Sequence, residues 1–134
     1  QTSGISPEYV EFKPGKDIVI GSTAPFYILR PETAESLFVL GQLTKDPKYR
    51  DWAYEIFSSI NKACKTDYGF GALRDVSRPS AGVDDRMESF FLAETLKYLY
   101  MAQDPESAQY ANLMEVVFNT EAHPLKILQG HQAV

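Results

Sequence analysis

The sequence predicts an all-α domain interspersed with short β-hairpin segments. Three observations carry that expectation. Two apolar stripes recur at helical spacing, each opened by a proline; a run from about residue 84 to residue 103 is apolar on nearly every side; and the loops between them are well supplied with Pro and Gly. The chain has 134 residues, 44% of them hydrophobic and 13% aromatic, enough to bury one core of ordinary size. A formal charge of −5, a pI near 5.0 and the absence of any adjacent pair of basic residues argue against a phosphate-tracking surface, so nucleic acid is not an expected partner.

Residues 1–29 read as an extended, turn-rich lead, with a strand-like stretch at Asp17–Ile20 and a short helical turn at Pro7–Phe12. The first helix begins at Pro31, whose missing N–H is harmless at a first helical position. It carries Ala34, Leu37, Phe38 and Leu40 on its apolar side, and Gly41 should loosen its end. Leu43-Thr44-Lys45-Asp46 then joins it to a second helix with Asp46 as N-cap and Pro47 in the first turn. Tyr49, Trp52, Ala53, Ile56, Phe57, Ile60, Ala63 and Cys64 recur on one side of that helix as core, so the two helices should form an antiparallel hairpin.

Gly69 and Gly71 allow a sharp turn before a short strand reaching Val76. The third helix is expected to start at Asp84 or Asp85 and run to about Gln103, which places Glu88 and Glu94 in apolar surroundings. An ionised carboxylate there needs a partner or a nearby cation. Lys97 is available to Glu94, and a basic residue of another helix to Glu88. A short helix around Glu106–Leu113 and a strand at Glu115–Phe118 complete the chain's main elements.

That last strand runs into Phe118-Asn119-Thr120-Glu121-Ala122-His123-Pro124, a cluster of oxygen donors that would suit a hard cation. Thr120 can offer a carbonyl and a hydroxyl to one ion, and Glu121 can hold the waters that complete its shell. Such a triplet also suits a solvated turn. Cys64 has no second thiol to pair with and reads as a small buried hydrophobe. No apolar stretch approaches the length of a bilayer, and Gln1-Thr2-Ser3-Gly4 has none of the features of a signal peptide.

Three carboxylate-bearing segments stand out together: Leu29-Arg30-Pro31-Glu32-Thr33-Ala34-Glu35-Ser36, the run from Met87 to Tyr100, and Asn119 to Pro124. In this order they resemble glycoside hydrolase family 47, the class I α-1,2-mannosidases, over nearly the whole chain from Gly4 to Leu125. The resemblance implies the C-terminal part of an (α/α)7 barrel of helical hairpins with a calcium ion at the floor of its cavity. Residues 1–134 would then be the C-terminal part of one catalytic domain, with the remainder of that domain as a partner. The earlier hairpins, a further catalytic aspartate and the proton donor have no counterpart here.

Residue by residue, the resemblance implies that Glu32 is the general base activating water and Arg30 a sugar-contacting residue. It further implies that Glu35 is part of the network around calcium-bound waters, that Phe90 stacks on the terminal mannose, and that Glu94 binds hydroxyls and holds water. By the same resemblance Thr120 looks like the direct protein ligand of calcium, Glu121 resembles a carboxylate that binds sugar hydroxyls, and Glu8 looks like a further cavity acid. The implied activity is calcium-dependent, inverting hydrolysis of terminal α-1,2-linked mannose from high-mannose N-linked glycans, in the endoplasmic reticulum or Golgi lumen or after secretion. This segment alone should be inactive. No retention signal is read at Gln132-Ala133-Val134. A glycan-recognition module of a quality-control protein is the alternative within the family, and Arg-Pro-Glu-Thr, with Thr33, resembles the trimming enzymes instead. A free-standing helical interaction domain is a third reading, opposed by the apolar hairpin faces it would leave open.

Overall fold

A computed structural model describes residues 2–128; Gln1 and the closing Gln132-Ala133-Val134 lie outside the described residues. Three helices make the frame. Helix α1 (Glu32–Thr44) and helix α2 (Lys48–Ala63) form the expected hairpin, and both pack on α3 (Leu96–Gln103), which continues a π-helical segment at Phe91–Thr95. Phe38 of α1 and Tyr98 of α3 meet at the centre with ring centroids 5.8 Å apart, joined by Phe118 at 6.1 and 5.6 Å. Leu29, Ile60, Leu73, Val76 and Phe91 complete the core.

Short antiparallel pairs decorate this frame. Strands β1 (Val10–Glu11) and β2 (Val19–Ile20) pair Val10 with Ile20, so the expected helical turn at Pro7–Phe12 is instead extended chain. Strands β3 (Ala72–Leu73) and β4 (Val83–Asp84) form a second hairpin, and β3 also exchanges two backbone hydrogen bonds with Tyr27 at 2.9 Å. Gly71 is required here, because a Cβ at that position would lie 2.5 Å from the Asp84 carbonyl oxygen. A short helix α4 (Ser107–Tyr110) follows, and β5 (Val116–Phe118) then pairs with β6 (Pro124–Lys126), which turns the oxygen-rich run into the hairpin's connection.

Four expectations are corrected. The third helix does not start at Asp84 or Asp85, because Asp84 belongs to β4 and the ladder continues to Arg86, whose carbonyl accepts the Ala72 N–H at 3.0 Å. Backbone groups committed to a hairpin cannot also close helical turns, so helix begins only at Ser89. Glu88 therefore lies outside the helix and pairs with Arg86, two residues away, rather than with another helix. Gly41 does not loosen α1; it sits inside the helix, where a Cβ would only just touch Tyr49, and the helix ends at left-handed Lys45. The α2 stripe is only partly core. Ala53, Ile60 and the following Cys64 are buried, whereas Trp52 and Phe57 are exposed, because the described residues pack on one side of α2 only. Asp46 acts as a cap in substance, its Oδ1 accepting the Lys48 N–H at 3.0 Å, one residue ahead of Pro47.

Candidate active site

The first carboxylate segment owes its shape to an unusual residue. Leu29 is fully buried with φ 70°, a left-handed conformation that a branched aliphatic side chain rarely adopts. The chain pivots there, and Pro31 then starts α1 with Glu32 as its first residue and Glu35 one turn along. Both acids lie in the helix's first turn, where the positive end of the macrodipole favours negative charge. Tyr27 Oη donates to the Arg30 carbonyl at 3.3 Å, and Arg30 Nε donates to Glu8 Oε2 at 2.5 Å. Glu8 Oε1 also accepts the Ile28 N–H at 3.1 Å. Glu8 is thus a brace for the Arg30 segment, with its charge compensated by the guanidinium. Together with Tyr27, Glu32 and Thr95, these residues line a cavity of about 560 Å³.

The second segment contains the π-helical turn. Irregular turns of this kind concentrate at functional sites, because they rotate side chains away from where a regular helix would put them. Here the turn buries Phe91 against Phe70, ring centroids 4.9 Å apart, and leaves Phe90 half-buried ahead of it. Glu94 is buried to 8% exposure, yet among the described residues its carboxylate makes no hydrogen bond or ion pair. Among the described residues no fully buried side-chain oxygen lacks a partner, so the Glu94 oxygens reach an open side. Burial raises the Glu94 pKa, and the charges of Glu121, Glu32 and Glu35 raise it further. Four carboxyls from three separate segments therefore share one region. Tyr98 on α3 is held above its ordinary pKa first by burial and then by Glu35 and Glu94.

Lys97 does not pair with Glu94 as expected. Its Nζ donates to the Ala122 carbonyl at 2.9 Å, although its charge still opposes the rise in the Glu94 pKa. An unpartnered carbonyl beside fully buried Ala122 would cost more than a partly solvated ion pair returns.

The third segment is the β5–β6 connection. Asn119 organises it, its Oδ1 accepting the N–H groups of Glu121 at 3.0 Å and His123 at 2.8 Å. Thr120 and Glu121 are exposed on this turn, and the Thr120 carbonyl and hydroxyl have no hydrogen-bond partner among the described residues. Among those residues no three His, Cys, Asp or Glu side chains stand close enough to chelate an ion by themselves.

The structure thus brings Glu32, Glu35, Glu94 and Glu121 together, sets Thr120 beside Glu121, and puts Arg30 and Glu8 on the flank of Glu32. Tyr98 and Thr95 were not singled out by sequence reasoning, and Lys97 was read only as a partner for Glu94. Their spacing matched an ordinary core helix, and only the fold shows what their polar atoms meet. Cys64 is a buried thiol whose pKa burial pushes up to about 11, away from reactivity.

A family model described as Glycosyl hydrolase family 47 matches residues 1–127. Among curated relatives, the mannosyl-oligosaccharide alpha-1,2-mannosidase IA of Drosophila melanogaster is 48% identical over 124 residues, covering 92% of this chain and 18% of its own. The mannosyl-oligosaccharide 1,2-alpha-mannosidase IA of Sus scrofa is 42% identical over 125 residues, covering 92% of this chain and 19% of its own. An alpha-1,2-mannosidase structure from Trichoderma reesei superposes with a TM-score of 0.71 at 44% identity, covering 79% of this chain and 23% of that one. The chain spans about a fifth of the length of the curated relatives it matches.

Proposed function

The chain belongs to glycosyl hydrolase family 47, and on that premise we propose that it forms the C-terminal part of a catalytic domain that removes terminal α-1,2-linked mannose from high-mannose N-linked glycans. The observation that carries the reading is the convergence of Glu32, Glu35, Glu94 and Glu121 beside Thr120 from three distant parts of the chain. Such an array of acids suits a polyhydroxylated sugar, and Phe90, four residues before Glu94, would supply an aromatic face. Carboxylates accept hydrogen bonds from hydroxyls, and an aromatic face covers the apolar side of a pyranose.

In inverting hydrolysis a carboxylate removes a proton from water as that water attacks the anomeric carbon, while an acid on the opposite face protonates the leaving oxygen. Glu32 takes the base role. It heads α1 on the solvent side of a cavity that also admits Arg30, whose guanidinium contacts the sugar while Glu8 holds it in place. Glu94 and Glu121 accept from sugar hydroxyls, and Glu35 holds water between them. The acid comes from elsewhere in the domain.

The donor set fits a calcium ion held by the Thr120 carbonyl and hydroxyl, with waters bridging to the surrounding acids in place of direct carboxylate ligands. Calcium so held would orient vicinal hydroxyls and offset the repulsion among the four acids.

Tyr54 and Phe57 of α2 and Leu96, Leu99 and Tyr100 of α3 frame an almost wholly apolar groove of about 360 Å³. We assign this face to the remainder of the catalytic domain, since the relatives are about five times longer than the stretch they share with this chain. A substrate of N-linked glycans would put the enzyme in the endoplasmic reticulum or Golgi lumen, or outside the cell.

The test is Glu32→Gln in the full-length protein, assayed on an α-1,2-linked mannobiose. Loss of turnover by about a hundredfold or more with the fold intact is expected of a removed base. Turnover at the wild-type rate would eliminate Glu32 from the mechanism.

A further inference from the structure

Glu32 and Glu121 hang from segments whose backbone no local sequence rule enforces. Leu29, one residue before Arg30, has φ 70°, and Ala122, directly after Glu121, has φ 55°. Both are fully buried, and neither is the glycine that such a conformation favours. Each therefore needs an outside restraint. The carbonyl of Leu29 accepts a hydrogen bond from Thr95 Oγ1 at 2.6 Å, and the carbonyl of Ala122 accepts one from Lys97 Nζ at 2.9 Å.

Both donors come from the helical stretch that carries Glu94. Thr95 is the last residue of the π segment and fully buried; Lys97 is the second residue of α3 and half-buried. Side chains two apart on a helix point roughly 200° apart, so such a pair can reach two different segments. The first arm ends next to Arg30 and Glu32, the second next to Thr120 and Glu121.

We propose that Thr95 and Lys97 are positioning residues, a two-armed clamp through which the Glu94 helix fixes Arg30 and Glu32 on one side and Thr120 and Glu121 on the other. The kinetic consequences rest on the mannosidase reading; the clamp itself does not. Neither residue is assigned contact with the reacting atoms. Thr95 acts on the placement of the base, and Lys97 on the turn that holds sugar hydroxyls.

The experiment compares Thr95→Val, Thr95→Ser and Lys97→Met in the full-length protein by steady-state kinetics on an α-1,2-linked mannobiose and by amide hydrogen exchange without substrate. A base displaced by a fraction of an ångström predicts that Thr95→Val loses about tenfold or more in kcat with KM within about twofold. Thr95→Ser, which keeps the hydroxyl, should hold kcat within about threefold of wild type. Lys97→Met should raise KM by about fivefold or more and largely spare kcat. Exchange should quicken at residues 28–33 in Thr95→Val and at residues 119–123 in Lys97→Met, each without the other.

Thr95→Ser as impaired as Thr95→Val would overturn the clamp, as would exchange rising in both segments alike or in neither. Should Thr95→Val fail to fold, Lys97→Met decides: unchanged exchange at 119–123 with unchanged KM refutes the proposal. Glu32→Gln tests the mannosidase reading separately. Its failure alongside an intact exchange pattern would discard the reading and leave the clamp standing.

Discussion

Two residues with the same backbone conformation should respond in opposite directions to the same substitution. Leu29 and Lys45 have φ 70° and 59°, so glycine would relieve backbone strain at either. For L-residues that strain is about 1–2 kcal/mol. At Lys45 little else is at stake. The side chain is exposed at the C-terminus of α1, and among the described residues it makes only a long hydrogen bond to Gln42 at 3.5 Å, while the backbone N–H that caps the helix through Gly41 is untouched. Even after the greater freedom of an unfolded glycine is charged, Lys45→Gly should stabilise by about 0.5–1 kcal/mol. At Leu29 the substitution also deletes a fully buried side chain from the core. Truncating a buried leucine costs about 2–5 kcal/mol, which exceeds the strain relieved. Leu29→Gly should therefore destabilise by about 2–4 kcal/mol. Urea unfolding of the full-length protein measures both, as midpoint shifts of opposite sign at unchanged m-value. A Leu29→Gly protein as stable as wild type would mean the strain outweighs the packing; a destabilised Lys45→Gly would mean the left-handed cap carries no strain.

Glu94 gives a pH dependence. Its folded-state pKa is raised by burial and by Glu121, Glu32 and Glu35 above an ordinary value of 4.5, so between those values the folded state binds more protons than the unfolded one. In the absence of divalent cation, stability should fall as pH rises through that window, and Glu94→Gln should remove this part of the slope and be the more stable protein at neutral pH. A pH–stability profile of the variant that parallels wild type counts against the shared-charge reading. Gly71→Ala forces a Cβ to within 2.5 Å of the Asp84 carbonyl oxygen, a backbone atom of the paired strand that cannot swing aside. It should destabilise by about 1–3 kcal/mol, and a neutral result in thermal unfolding would show that the β3–β4 hairpin yields.

Much of the frame could be read locally. Pro31 and Pro47 each announce a helix start because proline tolerates the first turn and nothing deeper, and both helices begin within one residue of them. The β5 strand and its oxygen-rich exit were likewise visible in composition, and so were the carboxylates themselves. The start of the third helix was not, because Asp84 and Asp85 make a fair helix start on local propensity. The ladder that claims Asp84 runs to Ala72, and that pairing is a contact between distant residues. The Glu94–Lys97 pair failed for the same reason: spacing of three along a helix permits the contact, but Ala122, twenty-five residues on, offered Lys97 the stronger claim.

The sequence by itself determined which acids, which aromatic ring and which oxygen-bearing turn the chain possesses, because residue identity and helical spacing are local properties. Only the tertiary structure decided that burial and the charges of Glu121, Glu32 and Glu35 make Glu94 costlier to ionise, that Glu8 serves Arg30, and that Leu29 and Ala122 adopt conformations meant for glycine. Those outcomes depend on charges and hydrogen-bond donors brought together across dozens of residues. Electrostatic repulsion and backbone restraint act through space, and distance in space is what a linear chain does not state.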